Sequence, residues 1–311
     1  MARTLTLSSL NSTNVRFMTS LGLRRIGLRA SAVLTPELAG VWAERLFLTP
    51  PVARRPFSAV FAVDGIRTSS VPYRGRRVVT WTWGDASAPA VVLAHGWGGH
   101  AAQMASFVEP LLAEGFRVVA FDQPAHGLSE GRLTGLPDFA GATAAVAKAA
   151  GDVQALVAHS LGATGAALAH AARLGVKRVV LVSPPSDLVG YSRRFARWHW
   201  MPESVRRTMQ AAIEERYGLR WSELEIDRVA PCFSADALVI HDRRDRMVPF
   251  KQGARFARTW RGARLLATEG LGHNRILQDR GVVDATVDFV RGGSGGAPVA
   301  EAVLPHPAPL Y

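Results

Sequence analysis

Six stretches of the chain are apolar at nearly every position: Ala90 to His95, Arg117 to Asp122, Val153 to Ala158, Arg178 to Ser183, Ala237 to His241 and Ala263 to Thr268. A strand with one wet face alternates apolar and polar residues, so short unbroken runs predict strands covered on both faces. Helical patterns separate them: Ala101 to Glu114, closed by Gly115; Asp138 to Ala150, closed by Gly151; an Ala-rich pattern ending at about Arg173; Phe250 to Trp260; and Val282 to Val290. Strands alternating with helices predict an α/β fold, a doubly wound and mostly parallel sheet with helices on both faces. Two earlier segments, Phe57 to Val63 and Val78 to Trp83, alternate instead. They read as antiparallel strands, with Gly75 in the turn between them.

One segment breaks the alternation. Between Pro185 and Pro231 no strand pattern occurs, and Arg193, Arg194, Phe195, Arg197, Trp198, His199 and Trp200 give way to a helix opened by Pro202-Glu203 and running to about Tyr217. Residues 185–231 therefore read as an inserted helical cap on a main domain of residues 51–291. A cap of this kind shapes a substrate pocket, with Trp198 and Trp200 as candidate contacts to an apolar or aromatic group. Upstream, Thr35-Pro36-Glu37 opens a short helix, with Thr35 as N-cap, that ends before Pro50-Pro51. Residues 1–50 form a basic leader and this helix. Residues 292–311 are rich in Gly, Pro and Ala and read as a disordered tail.

Composition narrows the picture. No run of about 18 apolar residues occurs, so no transmembrane helix is expected. The single cysteine, Cys232, excludes an internal disulfide framework and a cysteine-based zinc site. Flanked by Pro231 and Phe233, it is expected to be a small buried hydrophobe in a cytoplasmic, reducing setting. The net charge of +12 comes nearly all from arginines, in pairs scattered over the chain with no nucleic-acid motif beside them. No nucleic-acid partner is expected. The first 30 residues contain five arginines and no acid, a composition shared by transit peptides and by helices that make weak membrane-surface contact. A frayed leader, or a true start at Met18, is the favoured reading. No metal cluster, phosphate loop or dinucleotide loop is visible, so no cofactor is expected, and the sequence is silent on oligomeric state.

Candidate chemistry lies where the strands end. Val153 to Ala158 stops at His159-Ser160, and Gly162, Ala163 and Gly165 follow before a helix. A sharp strand–turn–helix junction lifts the serine hydroxyl off the sheet and aims the first N–H groups of the helix at the same point. A serine hydroxyl is a poor nucleophile alone and needs a base and an orienting acid. The run Ala158-His-Ser-Leu-Gly162 resembles the nucleophile elbow of the α/β-hydrolase superfamily, G-x-S-x-G, with Ala158 for the first glycine.

Three further loops carry the same resemblance. His95-Gly-Trp-Gly-Gly-His100 matches the oxyanion loop, implying the backbone N–H groups of Trp97 and Leu161 as donors. Asp122-Gln-Pro-Ala-His-Gly-Leu-Ser129 resembles the D-x-P-G-H-G-x-S turn, with His126 a hydrogen-bonded turn residue rather than the base. Ala237 to Pro249 resembles the strand and turn that carry the acid, implying Asp245, with Asp242 the runner-up and Asp187 an alternative. Gly270-Leu-Gly-His273-Asn274 resembles the G-H-N loop, implying His273 as general base. The order Ser160, Asp245, His273 is that of the superfamily, and the resemblance covers about residues 55–291. It implies acyl transfer from a small-molecule carboxylic ester or thioester through an acyl-enzyme. The same triad would serve an acyltransferase or perhydrolase, and a non-catalytic binding member of the fold is the rival from another class.

Overall fold

A computed structural model describes residues 36–51 and 63–294. The chain divides into two compact units. The larger, Thr49–Ser186 with Ser222–Tyr311, holds one sheet of eight strands. They are β1 (Arg67–Tyr73), β2 (Arg76–Trp83), β3 (Ala90–Ala94), β4 (Arg117–Phe121), β5 (Val153–His159), β6 (Arg178–Val182), β7 (Asp236–Asp242) and β8 (Arg264–Thr268). Their order across the sheet is β1-β2-β4-β3-β5-β6-β7-β8. The β1–β2 and β2–β4 pairs are antiparallel, and every other pair is parallel. This is the doubly wound, mostly parallel sheet that the alternation predicts.

The unbroken apolar runs have their physical reason in two cores, one on each face. Val92, Ala94, Leu156, Ala158, Val179, Leu181 and Val239 bury one face with Val146, Ala163 and Phe256. Val91, Leu93, Ala155, Val157, Val180, Val182 and Ile240 bury the other with Phe107, Leu111 and Val290. Successive strand residues point to opposite faces, so each strand needs an apolar side chain at every position.

The antiparallel edge departs from expectation. Of the expected strand Phe57 to Val63, all but Val63 lies outside the described residues, and Val63 is not in a strand. The first strand is Arg67–Tyr73, whose Arg67, Thr68, Ser69 and Ser70 are exposed. Only Val71 and Tyr73 at its end pack against the core, too short an alternation for periodicity to reveal the strand. It meets β2 through Arg74 (φ 48°) and Gly75 (φ 71°), with Tyr73 opposite Arg76, a two-residue turn of the I′ kind. The expected helix from Ala101 to Glu114 begins as a 3₁₀ helix, Ala101–Phe107, and becomes α-helical only over Val108–Ala113. Pro110 lacks an N–H and its ring would crowd the carbonyl four residues back, so an α-helix here can start only just before it.

The smaller unit comprises Met1–Leu48 and Asp187–Trp221. Its described helices are Pro36–Leu48, Leu188–Trp198 and Glu203–Tyr217. Ala39 and Ala43 are fully buried, and a Cβ on Gly40 would stand 2.3 Å from Thr208 Cγ2, so the first and last of these helices meet along a small-residue face. The Arg216 guanidinium pairs with the Glu44 carboxylate, and Phe47 packs edge-on against Tyr191 and Phe195. The larger unit includes 222–231, a stretch expected within the insertion. Arg255, on the helix Phe250–Thr259, pairs with Glu225 at 3.1 Å and Asp227 at 2.5 Å. Cys232, expected to be buried, is exposed on a 3₁₀ turn, Ala230–Cys232. Among the described residues no helix is long and apolar enough to cross a membrane.

Candidate active site

Register sets the candidates of the larger unit at one end of the sheet. Ala94 pairs with Phe121 and Ala158, His159 with Val182, and Asp242 with Thr268. The loops that follow these strands therefore emerge side by side, where ligands of open parallel sheets bind.

Ser160 sits between β5 and the helix Leu161–Ala171 with φ 53° and ψ −128°. A non-glycine residue at positive φ is strained, and the surroundings must hold it there. The Ser160 N–H donates to the Val182 carbonyl at 2.8 Å, and its own carbonyl accepts the Ala163 N–H at 2.9 Å. The neighbours must also be small. A Cβ on Gly96 would stand 2.6 Å from Ser160 Cβ, and one on Gly162 would stand 2.2 Å from the His95 carbonyl oxygen. Ala158, where the elbow consensus has glycine, points its methyl into the core and is fully buried.

His273 Nε2 lies 3.0 Å from Ser160 Oγ, and His273 Nδ1 lies 2.7 Å from Asp245 Oδ2. A carboxylate only accepts, so Nδ1 carries the proton and Nε2 is left as acceptor for the serine hydroxyl. Asp245 Oδ1 accepts the N–H groups of Met247 and Val248 at 2.8 and 2.9 Å. Burial alone would raise the Asp245 carboxyl. Donors from His241 and His273 and the Val248 N–H outweigh it and hold the group well below the usual carboxylate range.

The other two acids have different work. Asp242 accepts from the Arg244 N–H, the Thr268 hydroxyl and the Leu271 N–H, each at 2.9 Å, and so shapes the loop leading to His273. Asp187, in the smaller unit, caps the helix Leu188–Trp198 by accepting the Gly190 N–H at 2.7 Å. Trp198 and Trp200 belong to that same unit and are exposed.

Two further histidines brace this contact chain, one at His273 and one at Asp245. His159, just before the serine, donates from Nε2 to the His273 carbonyl at 2.9 Å. Burial, with His273 beside it, pushes its pKa down to about 3. His241 Nε2 donates to the Val248 carbonyl at 3.0 Å and lies 3.4 Å from Asp245 Oδ2. A Cβ on Gly253 would stand 2.1 Å from His241 Nδ1, so this glycine leaves room for the ring. The sequence signal for His159 is a polar residue at the end of an apolar strand; His241 also stands at the head of the acid-bearing turn.

The loop Gly96–His100 is tied to the turn after β4. Asp122 accepts the Ala101 N–H at 2.7 Å and the Leu128 N–H at 2.8 Å. Burial pushes its carboxyl up to about 6 despite these donors. His95 Nδ1 donates to the Gly96 carbonyl at 2.7 Å, and its Nε2 accepts the Gln123 N–H at 2.9 Å. His126 lies in the turn as expected, hydrogen-bonded through both ring nitrogens. The Trp97 ring stacks on Phe139 with centroids 6.3 Å apart. Leu161 is the first residue of its helix, so its N–H has no intrahelical acceptor. Among the described residues no group of three or more His, Cys, Asp or Glu is placed to hold a metal ion.

A sequence profile of the alpha/beta hydrolase family matches residues 91–285. No curated protein matches the sequence. Among solved structures, an esterase of Pyrococcus furiosus superposes with a TM-score of 0.60 at 20% identity, covering 78% of this chain and 96% of its own. An esterase of Exiguobacterium antarcticum gives 0.54 at 19% identity, covering 73% and 100%. A thioesterase domain from the curacin biosynthetic pathway gives 0.51 at 18% identity, again covering 73% and 100%. At such identities the likeness is one of fold.

Proposed function

The chain belongs to the alpha/beta hydrolase family, and from that premise we propose that it is a serine hydrolase cleaving a carboxylic ester or thioester through an acyl-enzyme. The observation that carries the reading is the contact chain Ser160–His273–Asp245, at 3.0 and 2.7 Å. The esterases and the thioesterase among the similar structures support the same class of bond.

In this reading His273 Nε2 takes the Ser160 proton as Oγ attacks the acyl carbon. Asp245, ionised and held by two backbone N–H groups, accepts from Nδ1 and stabilises the imidazolium that forms. The carbonyl oxygen becomes an oxyanion, met by the N–H groups of Trp97 and Leu161. Each such preorganised donor is worth about 3–4 kcal/mol in the transition state. The intermediate collapses to acyl-Ser160 as His273 hands its proton to the leaving alcohol or thiol. Water, deprotonated by the same nitrogen, then releases the acid and restores the serine.

The test is a p-nitrophenyl ester series of increasing acyl length, run on wild type and Ser160→Ala. Turnover lost in the variant is expected, and the preferred length would report the acyl pocket. Equal rates in both proteins would defeat the proposal.

A further inference from the structure

Only one of the two histidines that clamp the loop Gly96–His100, His95, comes from the chain that leads into it, directly after the strand end at Ala94. The other, His126, comes from the turn after β4. We infer that His126 is a positioning residue of the oxyanion hole: its neutral imidazole fixes the peptide on one side of Trp97, while His95 fixes the peptide on the other. The inference rests on the reading of the Trp97 N–H as an oxyanion donor.

A peptide unit is planar, so holding one end aims the other. The Trp97 N–H shares its plane with the Gly96 carbonyl. That oxygen accepts His95 Nδ1–H at 2.7 Å and the Gly99 N–H at 3.1 Å, which turns the Trp97 N–H the opposite way. The next plane carries the Gly98 N–H, and His126 Nε2 accepts it at 3.0 Å. With both planes held, Trp97 has no free backbone torsion left to swing its N–H. Gly98 completes the turn at φ 69°, where a Cβ would stand 2.8 Å from Pro51 Cγ.

The residue type follows from this geometry. The position needs an acceptor toward Gly98 and a donor toward the Pro124 carbonyl, 3.0 Å from His126 Nδ1. A neutral imidazole protonated on Nδ1 supplies both from one rigid ring. The ring is 4% exposed and packs edge-on against Trp97 at 5.5 Å, His95 at 5.2 Å and Phe139 at 5.4 Å. Burial pushes its pKa down to about 4, so it remains an acceptor at neutral pH.

The test compares wild type, His126→Phe and His126→Gln on the p-nitrophenyl ester turned over fastest, with inhibition by a phenylboronic acid as a transition-state mimic. Phenylalanine fills the ring space and offers neither hydrogen bond, whereas the glutamine amide oxygen can reach the place of Nε2. For H126F a fall in kcat of about 10- to 100-fold is expected, below the loss of a whole oxyanion donor. KM should stay within about twofold, and boronic acid affinity should fall in step with kcat. H126Q should recover most of both losses. Unchanged kcat and boronic acid affinity in H126F, or equal losses in H126F and H126Q, would overturn the inference. If circular dichroism shows H126F unfolded, His126→Asn replaces it: its amide reaches only the place of Nδ1, so it should stay slow where H126Q recovers. A wild type without Ser160-dependent turnover would overturn the hydrolase reading and this inference with it. Full wild-type turnover beside an unaffected H126F would overturn the inference alone.

Discussion

Gly96 lies against Ser160 so closely that a methyl group on Gly96 would stand 2.6 Å from the Ser160 Cβ. The same added atom would stand 3.2 Å from the His159 carbonyl oxygen, so neither the loop nor the elbow can yield without moving the other. Gly96→Ala should therefore push Ser160 away from the loop that carries Trp97, the oxyanion donor proposed above, while leaving the sheet intact. A displacement of about 1 Å costs roughly 100-fold in rate. A fall of that order in kcat, with the far-ultraviolet circular dichroism unchanged, is the expected result.

Asp245 and Asp242 stand three residues apart and should behave differently. Asp245→Asn removes the acceptor that fixes the tautomer of His273, and an exchange of this kind costs about 10⁴-fold in kcat in a serine protease triad. Asp242 touches neither His273 nor Ser160 among its hydrogen-bond partners; it holds Arg244, Thr268 and Leu271. Asp242→Asn should cost stability, on the order of 1–3 kcal/mol for a buried group left facing donors. Its residual kcat should far exceed that of D245N. Urea unfolding and steady-state kinetics on the two variants check both halves.

Stability should fall as the solution is acidified from neutral. Burial holds His95 well below 6.5, His126 at about 4 and His159 at about 3. In the unfolded chain each titrates near about 6.5, so below that pH the unfolded state takes up protons that the folded state refuses. Asp122 opposes them: burial raises it to about 6, so it binds its proton earlier when folded and gains stability as pH falls. Burial lowers His170 as well, so four imidazoles stand against one carboxyl and the slope of stability with pH keeps the sign set by the histidines. Urea midpoints at pH 7, 6 and 5 should decline in sequence. A flat series would contradict the assignment of these histidines as neutral.

What the sequence made legible follows from burial. Strands β3 to β8 lie between two layers of helices, and their apolar runs announce them. The loops that follow carry Ser160, Asp245 and His273 in recognisable settings, and those three side chains meet. Strand β1 is illegible because Arg67 to Ser70 are exposed and only Val71 and Tyr73 pack against the core. The joining of Pro36–Leu48 to Glu203–Tyr217 was illegible because its signal is a small-residue face, Ala39, Gly40 and Ala43, with a partner far along the chain. Cys232 is exposed despite Pro231 and Phe233 beside it, because apolar neighbours in sequence do not by themselves place a residue in a core. Motifs mark the positions of His95, His126 and His241 but not what each ring holds, and the partners of His95, His126 and His159 lie on segments distant in sequence.

The central claim is that Ser160 is a nucleophile activated by His273. The most direct test is intact-mass spectrometry after incubation with a fluorophosphonate, on wild type, Ser160→Ala and His273→Ala. One phosphonyl group on the wild type, mapped to Ser160, and none on either variant is the result the geometry predicts. A folded wild type that stays unlabelled, or a label that persists in S160A, would contradict it.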